Sequence, residues 1–139
     1  MFADLPLSLI LGLLFAHIIA DFFAQTDKMA FNKNAHNDWL TFHAASYTLI
    51  IFIIGTIFMV CTTTTILKVY ELIIIMYFWA TINGLLHWIV DYVIRQFNII
   101  NWEERRRFRF YITSGIDQLI HLSCLFITLS FIASYILVY

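Results

Sequence analysis

The sequence predicts an all-α integral membrane protein, a four-helix bundle with both termini on the outer, extracytoplasmic side. Three observations predict it: the composition, four apolar stretches of spanning length, and a one-sided distribution of basic residues. Hydrophobic residues make up 62% of the 139 positions and charged residues only 12%, against about 25% charged in a soluble domain. Most of so short a chain is needed to cross the bilayer, so 1–139 reads as a single transmembrane domain with no room for a separate soluble module. The lipid bilayer is its first partner.

The first segment, 5–24, begins almost at Met1, but only Asp4 precedes it as a charge and no small-x-small site follows. It therefore reads as a retained helix and not as a cleaved signal peptide. A polar loop leads to the second segment, 40–61, and a short threonine-rich turn, 62–68, to the third, 69–93. A basic loop then precedes the last segment, 111–138, which is long enough to tilt or to extend beyond the hydrocarbon. Of the eight Lys and Arg residues, Lys28, Lys33, Arg95, Arg105, Arg106, Arg107 and Arg109 fall in the first and third loops and only Lys68 in the second. The positive-inside rule makes those two loops cytoplasmic.

Three segments carry a His and an Asp four residues apart: His17 with Asp21, His87 with Asp91, and Asp117 with His121. Three ionised Asp side chains in mid-membrane would cost roughly 8 to 10 kcal/mol if nothing satisfied them. The order of each pair reverses with helix direction, so every Asp lies nearer the cytoplasm and every His about one turn, roughly 6 Å, deeper. His43, at the start of the second helix, joins the same layer. Residues His17-Ile-Ile-Ala-Asp21 and His87-Trp-Ile-Val-Asp91 also form a weak internal repeat, consistent with two related hairpins.

His17, Asp21, His43, His87, Asp91, Asp117 and His121 form a nitrogen and oxygen donor set suited to a divalent transition metal such as Zn, Mn or Fe, as one or two ions. Helical bundles build such sites from inward carboxylate and His side chains at this spacing. Two ions about 3.5 to 4 Å apart would suit hydrolysis of a phosphate ester. The bland alternative is that each pair is helix glue worth about 0.6 to 2 kcal/mol. Some Asp would orient a His instead of meeting the metal. In a hydrolase, Asp21, Asp91 or Asp117 supplies the general base, and Gln25 and Gln118 are candidates to hold water or substrate. Asn83, one turn deeper than His87, is a further donor or a helix–helix contact. Lys28, Lys33, Arg105, Arg106, Arg107 and Arg109 are candidates for a substrate phosphate or lipid headgroup, a role that topology alone also explains. Cys61 and Cys124 have no metal-binding spacing and read as small apolar filler. The net charge of −1 gives no basis for nucleic-acid binding. Gly12, Gly55, Gly84 and Gly115 make no GxxxG face, so a homodimer would have to form on lipid-facing aromatic surfaces.

The stretches Ala16-His17-Ile-Ile-Ala-Asp21-Phe-Phe-Ala-Gln25-Thr26-Asp27, Phe42-His43-Ala-Ala, Leu86-His87-Trp-Ile-Val-Asp91 and Ile116-Asp117-Gln118-Leu-Ile-His121 together resemble a family of small bacterial and phage four-helix membrane proteins of unknown function. Arg95 stands where that pattern leads one to expect lysine. More distantly, the pattern is similar to membrane-bound metal-dependent hydrolases. The resemblance implies the bacterial inner membrane, and its phage side a role in host takeover; hydrolysis enters by analogy only. The leading expectation is a metal-dependent hydrolase acting on a lipid-like or phosphorylated substrate at the cytoplasmic face. The alternatives are a proton or metal-ion transporter, and a non-catalytic interaction module whose basic loop binds a partner protein.

Overall fold

The computed structural model describes residues 5–62 and 67–136, and these are all-α, with no strand among the described residues. Five helices follow one another: α1 (Leu7–Ile18), continued by a π turn (Ile19–Phe23), α2 (Asp27–Asn32), α3 (Asn37–Thr62), α4 (Val69–Glu103) and α5 (Arg107–Ile136). The expectation of four helices is thus corrected by a fifth, α2, inside the first polar loop. Its start is capped by Thr26, whose hydroxyl accepts from the Met29 amide at 3.2 Å, with Asp27 favourably placed in the first turn. Residues 63–66 of the threonine-rich turn and 137–138 of the last segment lie outside the described residues.

Two boundaries also differ. Helix α4 does not stop near residue 93 but runs 35 residues to Glu103, about 52 Å against a hydrocarbon thickness of about 30 Å. It ends in a Schellman motif, with the Arg106 amide donating to Asn101 O at 2.8 Å and the Arg105 amide to Trp102 O at 3.1 Å. Arg105 holds the left-handed conformation, φ 56°, that this motif usually gives to glycine. Helix α5 starts at Arg107, so the expected basic loop shrinks to a three-residue turn. Helices α3, α4 and α5 are long and apolar enough to cross a membrane, whereas α1 with its π turn spans only 17 residues, Leu7–Phe23, about 25 Å.

Away from the polar cluster the core is apolar, with Leu13, Ile51, Met59, Met76, Leu125 and Leu129 buried between the helices. The outer surface carries large exposed side chains such as Phe15, Leu49, Phe78, Leu85 and Phe131, the inverse of a water-soluble bundle. A polar contact interrupts this core. Asn83 Nδ2 and Trp79 Nε1 each reach Thr128 Oγ1 at 2.9 Å, tying α4 to α5. Helices α3 and α4 meet closely at Gly84, where an added Cβ would lie 1.8 Å from Thr48 Oγ1. This small residue lets His43 and His87 converge one turn further along.

Candidate metal centre

The site begins at the π turn. There the Ala24 amide donates to Ile19 O, five residues back, at 2.9 Å. A π turn carries one residue more than an α turn and commonly marks a functional position. His17 and Asp21, on either side of its start, each reach α3, at Tyr47 and His43 respectively, and both meet Gln118 on α5.

Asp21, His43, His87 and Asp91 are all buried, and their polar atoms converge. His43 Nε2 lies 3.1 Å from Asp21 Oδ1, 3.1 Å from His87 Nε2 and 3.6 Å from Asp91 Oδ2. His87 Nε2 lies 3.5 Å from Asp21 Oδ1 and 3.7 Å from Asp91 Oδ2. Bonds of about 2.0 to 2.1 Å from a tetrahedral ion place ligand atoms about 3.3 to 3.4 Å apart, and the three distances among Asp21, His43 and His87 bracket that value. The Nδ1 atoms of His43 and His87 are buried without a hydrogen-bond partner. Tyr47 stacks on His87 with ring centroids 3.9 Å apart, fixing the plane of that imidazole.

Asp91 faces two ways. Its Oδ1 lies 3.2 Å from His121 Nε2, and the same nitrogen is 3.2 Å from Asp117 Oδ1. His87, Asp91 and His121 form a second group able to hold an ion, beside Asp21, His43 and His87. The two groups share His87, and Asp91, a member of the second, also comes within 3.6 Å of His43. Asp117 is partly exposed, its side chain 17% accessible, and forms part of the cavity wall.

His17 belongs to neither group. Its Nδ1 lies 3.1 Å from the Tyr47 hydroxyl and its Nε2 3.0 Å from Gln118 Oε1. Gln118 Nε2 in turn donates to Asp21 Oδ2 at 2.7 Å. One assignment satisfies the chain: the Tyr47 hydroxyl donates to Nδ1, and Nε2–H donates to Gln118, whose amide hydrogen holds the outer oxygen of Asp21. His17 and Gln118 therefore position Asp21. Tyr47 was not among the residues singled out from sequence, although it follows His43 by four positions and so shares its helix face.

Lys33 enters the cluster from the end of α2. Its Nζ lies 3.2 Å from His43 Nε2 and 3.3 Å from Asp91 Oδ2, with a fifth of the side chain accessible. Arg95 fixes the backbone that carries it, donating to Lys33 O at 3.1 Å and to Asn37 Oδ1. A cavity of about 210 Å³ runs out from the cluster between α2, α4 and α5, lined by Asp21, Gln25, Lys33, Asp91, Asp117 and Gln118 among others. Gln25 Oε1 is buried without a hydrogen-bond partner. Lys28 instead lies over the Trp39 ring, 5.1 Å from its centroid. Arg105, Arg106, Arg107 and Arg109 are exposed and line no part of the cavity; Arg106 pairs with Glu104 at 2.7 Å. Cys61 and Cys124 are free thiols and belong to neither group.

Compared with known families, residues 9–138 match one described as "Protein of unknown function (DUF3307)". No curated protein and no solved structure matches the chain.

Proposed function

This chain belongs to the DUF3307 family of proteins of unknown function, and from its own side chains we propose an integral membrane metalloenzyme that hydrolyses a lipid-like or phosphorylated substrate. The site faces the cytoplasm of a bacterial inner membrane, α1 crosses the bilayer with α3, α4 and α5, and both termini lie outside. The basic residues at the α2 and α4–α5 end support that orientation.

One observation carries the metal. His43 Nε2 has four polar atoms within 3.6 Å: Lys33 Nζ, Asp21 Oδ1, His87 Nε2 and Asp91 Oδ2. A ring nitrogen either donates one hydrogen or offers one lone pair, so it cannot satisfy all four as hydrogen bonds. A divalent cation in place of the Lys33 ammonium would take the lone pairs of both imidazoles and of Asp21. Asp21, His43 and His87 would hold a divalent Zn, Mn or Fe ion, and Asp91 and His121, with His87 between the two groups, mark the place for a second. When bound, such an ion supplies Lewis acidity and an activated water.

The chain's own groups do the rest. Gln25 Oε1 accepts a hydrogen bond from the attacking water or from substrate, and Asp117, held by His121 at the cavity wall, takes the proton that the water gives up. The water oxygen bonds to phosphorus, the ester P–O bond breaks, and the proton passes from Asp117 to the leaving oxygen. Lys33 lies where it meets the charge of the phosphate. Among the described residues, the buried core beyond Asn83 and Thr128 is apolar apart from Thr56, which argues against transport.

The test is elemental analysis of detergent-purified protein beside Asp91→Asn, together with a phosphoester hydrolysis screen of both. One or two equivalents of metal and a metal-dependent activity, both lost in the variant, are expected. Absence of metal from protein prepared without chelator, or full activity in the variant, overturns the proposal.

A further inference from the structure

Beyond the polar cavity lies a second one of about 410 Å³, between α2, the last turns of α4 and the start of α5. Asn34, Asn98 and Phe110 line both, so the two spaces adjoin. The second is walled by the rings of Phe31, Trp102 and Phe110 together with Ile99, and its size falls within the roughly 300 to 1,000 Å³ of ligand pockets. Trp102 and Phe110 meet with centroids 5.4 Å apart, while Trp102 stays 64% exposed. Two carboxamides sit at the junction. The Thr113 hydroxyl meets the Asn98 carboxamide and the Phe110 carbonyl, the latter at 2.9 Å, which fixes Asn98 at the mouth of the pocket.

The direction of this pocket selects its occupant. Along α4 it lies beyond Asp91 at Asn98, Ile99 and Trp102, about 10 to 17 Å further on at 1.5 Å per residue, toward the end that carries Glu103, Glu104 and the arginines. A lipid whose phosphate reached the His and Asp cluster would send its chain the opposite way, into the hydrocarbon. A water-borne substrate entering phosphate first would leave its other end in this pocket. Flat rings stack on aromatic side chains, and amide groups read their edges.

We infer that the substrate is a nucleotide-like phosphoester, its phosphate in the polar cavity beside Lys33 and its nucleobase among Phe31, Trp102 and Phe110, with Asn34 and Asn98 at the base edge. The inference rests on the hydrolase reading for the phosphate end only; the ring pocket stands on its own lining.

The experiment measures binding, not turnover, on the full chain in lipid nanodiscs, using adenosine monophosphate, ribose 5-phosphate and dodecyl phosphate as probes. Adenosine monophosphate should bind at least tenfold more tightly than ribose 5-phosphate. Trp102→Ala should remove about tenfold of that advantage, the size of one stacking contact, and leave ribose 5-phosphate binding unchanged. Ala30→Trp, which fills the pocket from α2 without touching the cluster, should do the same and guards against misfolding of the first variant. Equal binding of the two soluble phosphates, or preferential binding of dodecyl phosphate that Ala30→Trp leaves untouched, overturns the inference. Binding of adenosine monophosphate that depends on Trp102, in protein that holds no metal and hydrolyses nothing, would support the pocket and sink the hydrolase. Hydrolysis of dodecyl phosphate without nucleotide binding would do the reverse.

Discussion

The Nε2 atoms of His43 and His87 face each other at 3.1 Å from two different helices. Two neutral imidazoles in that arrangement can share one hydrogen, yet Asp21 and Asp91 approach the same two nitrogens. Three helical elements, the π turn, α3 and α4, spend buried polar side chains on one point, and the cost of burying them is recovered if a cation occupies it.

His43 and His17 should therefore respond differently to truncation. His43→Ala removes a direct ligand, and the purified variant should hold no stoichiometric metal. His17→Ala breaks only the chain through Gln118 to the outer oxygen of Asp21, and should keep its metal with about 10- to 100-fold lower affinity. Metal titration of both variants checks this. Equal loss in the two would place His17 among the ligands.

Lys33 competes with any cation for His43 Nε2 and Asp91 Oδ2. Lys33→Met keeps the length of the side chain and removes its charge, so metal affinity should rise by about tenfold, on the order of 1.4 kcal/mol. Phosphate binding in the cavity should fall at the same time. Chelator competition and phosphate binding read the two effects separately, and a fall in metal affinity would show the ammonium to be supporting the site.

The close approach at Gly84 predicts a packing defect with a functional readout. Gly84→Leu must displace Thr48, whose hydroxyl donates to Ala44 O at 2.7 Å. It should destabilise the protein by about 1 to 3 kcal/mol and weaken metal binding by parting α3 from α4. Thermal unfolding and metal content, measured on one preparation, should fall together.

Much of the donor set was legible because periodicity is local. His87 with Asp91 and Asp117 with His121 needed only a spacing of four on an unbroken helix, and His43 only its place at a helix start. The π turn at Ile19–Phe23 was not legible, because the run Ile19-Ala-Asp-Phe-Phe carries no glycine or proline to announce it. The end of α4 was equally silent, because the left-handed position that closes it is filled by Arg105. Lys33 looked like a membrane anchor because its role depends on α2 folding back over the cluster. A sharper reading of Thr26 as a cap, followed by Asp27, could have found that short helix.

Arg105 gives a test of that hidden boundary. An arginine at positive φ is strained where glycine is not, so Arg105→Gly should stabilise the protein by about 0.5 to 1 kcal/mol. The expected result is a higher unfolding temperature with metal content unchanged. A lower temperature would mean that the Arg105 side chain contributes more than its backbone costs.

Lys33 also bears on how such a protein is made. Helices that reach the bilayer one after another carry Asp21 first and Asp91 much later, and a carboxylate left alone in lipid invites misinsertion. The ammonium that meets Asp91 and His43 arrives in the stretch of chain between α1 and α3, synthesised before α4 and ready when it docks. The polypeptide thus brings its own counter-ion to its assembly, and the metal of the proposed function would enter later, by exchange of one cation for another in a bundle that has already formed.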